Sequence, residues 1–138
     1  MHPCFVISFI SFPPFSEAKG SQRHPGVVRY LYPDAGDFLG FVAPLGSRGL
    51  LRDSIRAFRA SGRLPSEGAA LPGNMPGVGW SDHWAFAEVG YPAIMITDIA
   101  PFRYPHHHTA EDTPDKVDYP RLSRAVSGVR ATVRALAR

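Results

Sequence analysis

Apolar positions along the chain follow two periods, and the switches between them mark its elements. Phe5-Val6-Ile7-Ser8-Phe9-Ile10 is a short aromatic and β-branched run, which predicts a buried strand. Residues 13–36 are rich in Pro, Gly and Ser and read as loop. Asp37 to Ala43 (Asp-Phe-Leu-Gly-Phe-Val-Ala) predicts a second strand. From about Ser47 to Ser61 the period changes. Leu51, Ile55 and Phe58 stand at i, i+4 and i+7, the stripe of an amphipathic helix, with Gly62 as its stop. Gly62 to Gly79 carries neither period and reads as loop.

Ser81 is placed as the N-cap of a short helix through Glu88, ended by Gly90. Ala93 to Thr97 is apolar on both faces, as a central strand of a parallel sheet must be. A polar loop carrying three histidines follows. From about Pro120 a last helix sets Leu122, Val126, Val129, Val133 and Leu136 on one predicted core stripe, with proline in its first turn. Alternating strands and helices predict an α/β layered fold, a mostly parallel sheet flanked by helices. There is no internal repeat and no low-complexity tract.

Composition changes this picture little. At 138 residues and 44% apolar, the chain is one folded domain or part of one. No apolar run reaches the roughly 18–20 residues that span a bilayer. The lone cysteine, Cys4, excludes an internal disulfide and a cysteine-built zinc site. Cys4 to Phe12 lacks a basic leader, and Pro13-Pro14-Phe15 is a poor cleavage site, so the segment reads as strand rather than signal peptide. Compartment is left open.

The chemistry lies in two stretches, Gly79-Trp80-Ser81-Asp82-His83-Trp84 and Pro105-His106-His107-His108-Thr109-Ala110-Glu111-Asp112-Thr113. Ligands of an open α/β sheet sit outside the carboxyl ends of its strands. The strand ending at Thr97 delivers Asp98 and the histidine loop to that edge, and the helix opening at Ser81 presents Asp82 and His83 nearby. Histidines and carboxylates gathered there are the material of a hydrolytic metal site. By spacing alone, three consecutive histidines fit a solvated loop better than a metal site, and Asp82 fits better as a first-turn carboxylate favoured by the helix dipole.

Ser81-Asp82-His83-x-x-Phe86, the strand entry Gly90-Tyr91-Pro92-Ala93-Ile94 and His108-Thr109-x-x-Asp112-Thr113, in this order, resemble the C-terminal half of the two-zinc aminopeptidases. These form metallopeptidase family twenty-eight, the bacterial leucyl aminopeptidase and aminopeptidase Y type, related to glutaminyl cyclases. The resemblance runs from about residue 6 to the C-terminus and is strongest from Gly77 to Tyr119. It implies part of a three-layer zinc-exopeptidase fold, two zinc ions per site, and a peptide or aminoacyl substrate with a free amino terminus. Metal-activated water would hydrolyse the first peptide bond. Carried over by position, His108 is a zinc ligand. His107 takes the oxyanion-side place that is usually tyrosine, and Asp82 lines the active site. Asp112 is a candidate to orient His108, a loop-capping role being the alternative.

The family's first-half motifs have no counterpart here: a further histidine, the bridging aspartate, the catalytic glutamate and its neighbouring carboxylate. Its remaining acidic position aligns with Ile10, which cannot bind zinc. The expectation is therefore a single truncated catalytic domain over residues 1–138. Such a chain is marginally stable, inactive alone, and prone to join a missing half or itself through exposed edges. The alternative is a non-catalytic remnant or interaction domain. The basic positions of the last helix (Arg121, Arg124, Arg130, Arg134, Arg138) read as a solvated face rather than a nucleic-acid contact.

Overall fold

The computed structural model describes residues 5–10, 15–24 and 29–138. Cys4 and residues 11–14 of the segment weighed as a leader lie outside these, as do residues 25–28 of the predicted loop. The elements run β1 (Val6–Ile10), β2 (Leu39–Pro44), α1 (Arg48–Ala60), β3 (Ser66–Leu71), α2 (His83–Glu88), β4 (Ala93–Thr97) and α3 (Tyr119–Leu136). They form one four-stranded sheet in the order β1-β4-β2-β3. β1 pairs with β4 and β2 with β3 in parallel, while the central β2–β4 pair is antiparallel. The fold is α/β with a mostly parallel, mixed sheet, as expected. No helix among the described residues is long and apolar enough to cross a membrane.

The period of two decides the sheet's faces. Leu39, Phe41 and Ala43 of β2 and Ile94 and Ile96 of β4 turn to one side, where they meet Leu51 and Phe58 of α1 and Ala125 of α3. Phe58 stands edge-on to Phe41 at 5.2 Å. The alternate residues face the other way, with Val42 opposite Met95 and Gly40 opposite Thr97. All five residues of β4 are buried, as its unbroken apolar run required.

Three expectations are corrected. The stretch Gly62–Gly79 is not all loop, because Ser66–Leu71 forms the edge strand β3. Its Ser-Glu-Gly-Ala-Ala-Leu has no β-branched residue to announce it. Parallel pairing with β2 holds it instead, and Arg59 donates to the Ser66 carbonyl at 2.6 Å. The core stripe of α3 is rotated. Ala125, Gly128 and Thr132 are buried, whereas Val126 and Val133 are 49% and 41% exposed. Close approach explains this, since a Cβ on Gly128 would lie 2.4 Å from Phe58 Cε2. The smallest side chains, not the largest, face α1. Ser81 is not the N-cap of α2. Asp82 holds that position in helical φ/ψ (−53°, −28°) rather than the extended conformation usual for a cap, and it makes no capping hydrogen bond.

Candidate active site

On the face away from α1 and α3 lies a cleft of about 590 Å³. Gly40, Val42, Ala69, Met95 and Thr97 form its floor, Met75, Val78, Trp80 and Phe102 its sides, and His107 and His108 its far rim. Trp80 and Phe102 stack with centroids 6.3 Å apart, which ties the segment before α2 to the segment after β4. β1 and β4 run parallel, so their carboxyl ends share an edge, where Ile10 pairs with Thr97. That edge is where an open α/β sheet binds its ligands.

The loop leaving β4 is held by its own backbone bonds. Ile99 N–H donates to Thr97 Oγ1 and Ala100 N–H to Asp98 Oδ1, both at 2.9 Å. Ile99 and His108 both adopt left-handed φ of 59°, a conformation non-glycine residues rarely accept. Thr109 Oγ donates to the His106 carbonyl at 2.8 Å and closes the turn that presents His108. The rings of His107 and His108 stack at 3.9 Å. Burial lowers the pKa of His107, the neighbouring His108 lowers it further, and Asp112 opposes both.

Asp98 is among the residues that line the cleft and is itself fully buried. Its Oδ2 has no hydrogen-bond partner. Burial lifts its pKa to about 8 against the pull of the Ala100 N–H and of Arg103. Arg103 is itself half-buried, donating to Gln22 Oε1 at 2.7 Å and to the Gly36 and Phe38 carbonyls, and burial lowers its pKa to about 10. Tyr104 is buried beside Asp112, and burial together with that carboxylate raises its pKa. His83 is fully buried in α2, and burial lowers its pKa against the opposing pull of the Val78 and Ser81 backbone and of Asp82.

Of the residues singled out by sequence, His107 and His108 come together at the rim. Asp112 is exposed, and the imidazole that feels its charge is His107. Asp82 is exposed at the opening of α2, outside the cleft lining. Asp98 is the residue sequence reasoning undervalued. A carboxylate ending a wholly apolar strand was the available signal, since such a group is buried with the strand.

The donor set does not suit a zinc pair. Among the described residues no group of three or more His, Cys, Asp or Glu could hold a metal ion. A catalytic zinc takes about three protein ligands and a pair takes more. Here His108 stacks on its neighbour, and Asp82 lies outside the cleft.

The chain is 35% identical over 116 residues to the uncharacterized protein YfbL of Escherichia coli (strain K12), an alignment covering 83% of this chain and 36% of the relative. The chain thus spans about a third of the length of the relative it matches. No solved structure matches. Residues 41–133 match the model of Peptidase family M28, a span that runs from β2 into α3 and takes in both the cleft floor and the histidine rim. On that match, across most of its length, the chain belongs to peptidase family M28.

Proposed function

We propose that this chain is the C-terminal portion of the catalytic domain of a zinc-dependent exopeptidase of the aminopeptidase type. The observation that carries the reading is the pair His107–His108 at the carboxyl edge of β4, on the rim of an apolar cleft, inside the segment that matches the family. His108 is assigned as a metal ligand. His107, a ring N–H donor at the rim, faces the place where negative charge develops on the scissile carbonyl oxygen. Asp112, whose charge raises the pKa of His107 against burial, is assigned to orient this pair of imidazoles. Asp82 is assigned to the outer approach of the peptide. The apolar floor suits an uncharged side chain.

The same residues supply too few donors for zinc and no general base, so the 138 residues alone should not hydrolyse peptides. Zinc titration followed by an aminoacyl-anilide assay tests this; chelator-sensitive turnover by the chain alone would refute it. Positive evidence requires a chimera in which the part of the E. coli relative preceding the matched region is joined to this chain. Chelator-sensitive turnover that His108→Ala abolishes supports the peptidase reading. A folded chimera with no turnover supports the alternative, a non-catalytic remnant of the fold.

A further inference from the structure

The outer helices hold a charge imbalance that the cleft does not use. α1 and α3 together carry eight arginines, no lysine and one acid, Asp53, a net of +7; the rest of the chain sums to −4, leaving the overall +3. The side chains of Arg52, Arg56 and Arg59 repeat at helical spacing on α1 and are 70%, 72% and 55% exposed. On α3, Arg130 and Arg134, followed by Arg138, repeat every four residues on the face opposite buried Ala125 and Thr132. Arg52 and Arg56 share Asp53 at 3.5 Å, Arg59 reaches Glu67 at 3.7 Å, and Arg121 pairs with Glu17 and Asp118. Among the described residues, Arg48, Arg124, Arg130 and Arg134 have no acidic partner. Setting Glu17, Glu67 and Asp118 against the +7 still leaves the layer at +4.

We infer that this helical layer docks on an anionic phospholipid surface. Guanidinium groups bind phosphate oxygens bidentately. Val126 and Val133, exposed on α3 among Arg130 and Arg134, supply apolar contact of the shallow kind that interfacial helices bury at the headgroup boundary. Past Tyr119, α3 has no aromatic residue on which a nucleic-acid base could stack. α3 packs along α1 through Gly128 and Phe58, so a two-helix layer is presented, not one projecting helix that enters a major groove. The cleft opens on the opposite face of the sheet. Docking would leave it free to peptides.

Flotation of the purified chain with vesicles tests the inference. Vesicles of phosphatidylglycerol and phosphatidylcholine should bind it and pure phosphatidylcholine should not. Raising salt from about 50 to about 300 mM should weaken binding at least about tenfold. Arg130→Glu with Arg134→Glu should cost about tenfold or more, and Arg23→Glu, an exposed cation off the layer, should cost nothing measurable. If the double variant fails to melt like the parent, Arg130→Gln alone should still lower binding about threefold. Equal binding to neutral vesicles, no binding to anionic ones, a folded double variant that binds normally, or tighter binding to duplex DNA in the same buffer would each overturn it.

Discussion

Replacing Asp98 by Asn removes one buried ionisation and should flatten the pH dependence of stability. In the unfolded chain this carboxyl titrates near 3.8; folded, burial lifts it to about 8. A raised folded pKa means that the unfolded chain releases this proton first. The contribution to stability is complete below about pH 3.8 and is lost as pH climbs to about 8. At about 1.4 kcal/mol per pH unit, the loss between pH 5 and 7 is about 2.7 kcal/mol. A domain of this size is stable by only about 5–15 kcal/mol, so the effect is large. Asparagine keeps the oxygen that accepts the Ala100 N–H and cannot ionise. It also puts an amide N–H2 where Oδ2 stands unpartnered beside Arg103, a fixed cost of about 1–3 kcal/mol that does not vary with pH. Urea midpoints at pH 5, 6, 7 and 8 should therefore lose ground with rising pH in the parent relative to Asp98→Asn, the gap between the two curves shifting by about 2.7 kcal/mol between pH 5 and 7. His83 and His107, with lowered pKa values, act in the opposite direction on the acid side and cancel in the comparison. Parallel curves for the two proteins would refute the assignment of a buried, protonated Asp98.

Three further outcomes follow from packing and backbone geometry. Gly128→Val forces a side chain against Phe58 and should lower stability by about 1–3 kcal/mol in thermal melts, whereas Val126→Ser, on the exposed side of the same helix, should change it by less than about 0.5 kcal/mol. His108→Gly relieves a left-handed non-glycine residue and should raise stability by up to about 1 kcal/mol in urea titrations while removing the assigned metal ligand; a clear destabilisation would mean that the His107–His108 stack outweighs the backbone strain. His83→Phe removes a buried imidazole whose depressed pKa makes stability fall as pH drops below 6.5, so the variant's acid-side loss of melting temperature should be smaller than the parent's.

Much of the fold was legible because its signals are local. β4 is an apolar run that any central strand would need, and α1 carries its stripe in register with Gly62. β3 was hidden because its strand character comes from pairing with β2, a relation no window of sequence contains. The face of α3 was misread for a related reason. Periodicity selects large apolar residues, but the partner surface is Phe58, and an aromatic ring at close range selects Gly128 and Ala125. At the candidate site, the motif order located the histidine rim. What it could not convey is that Asp98 is buried against the cleft, that Asp82 lies off it, and that the charge of Asp112 bears on His107.

The costs in this structure cluster at one place. Two left-handed non-glycine residues, Ile99 and His108, bracket the loop after β4, and the buried Asp98 with its unpartnered oxygen sits between that loop and the sheet. Each such feature costs about 1–3 kcal/mol, and nothing in the hydrophobic core requires them. The helix-covered face, by contrast, is built from ordinary apolar contacts. A chain that had kept only the packing of the fold would be free to relax His108 to glycine and Asp98 to a neutral residue. The rim keeps His107 and His108 beside an apolar floor, the arrangement on which the proposed peptidase reading rests. The stability series for Asp98→Asn and His108→Gly therefore also measures how much stability this chain forgoes to hold that rim in place.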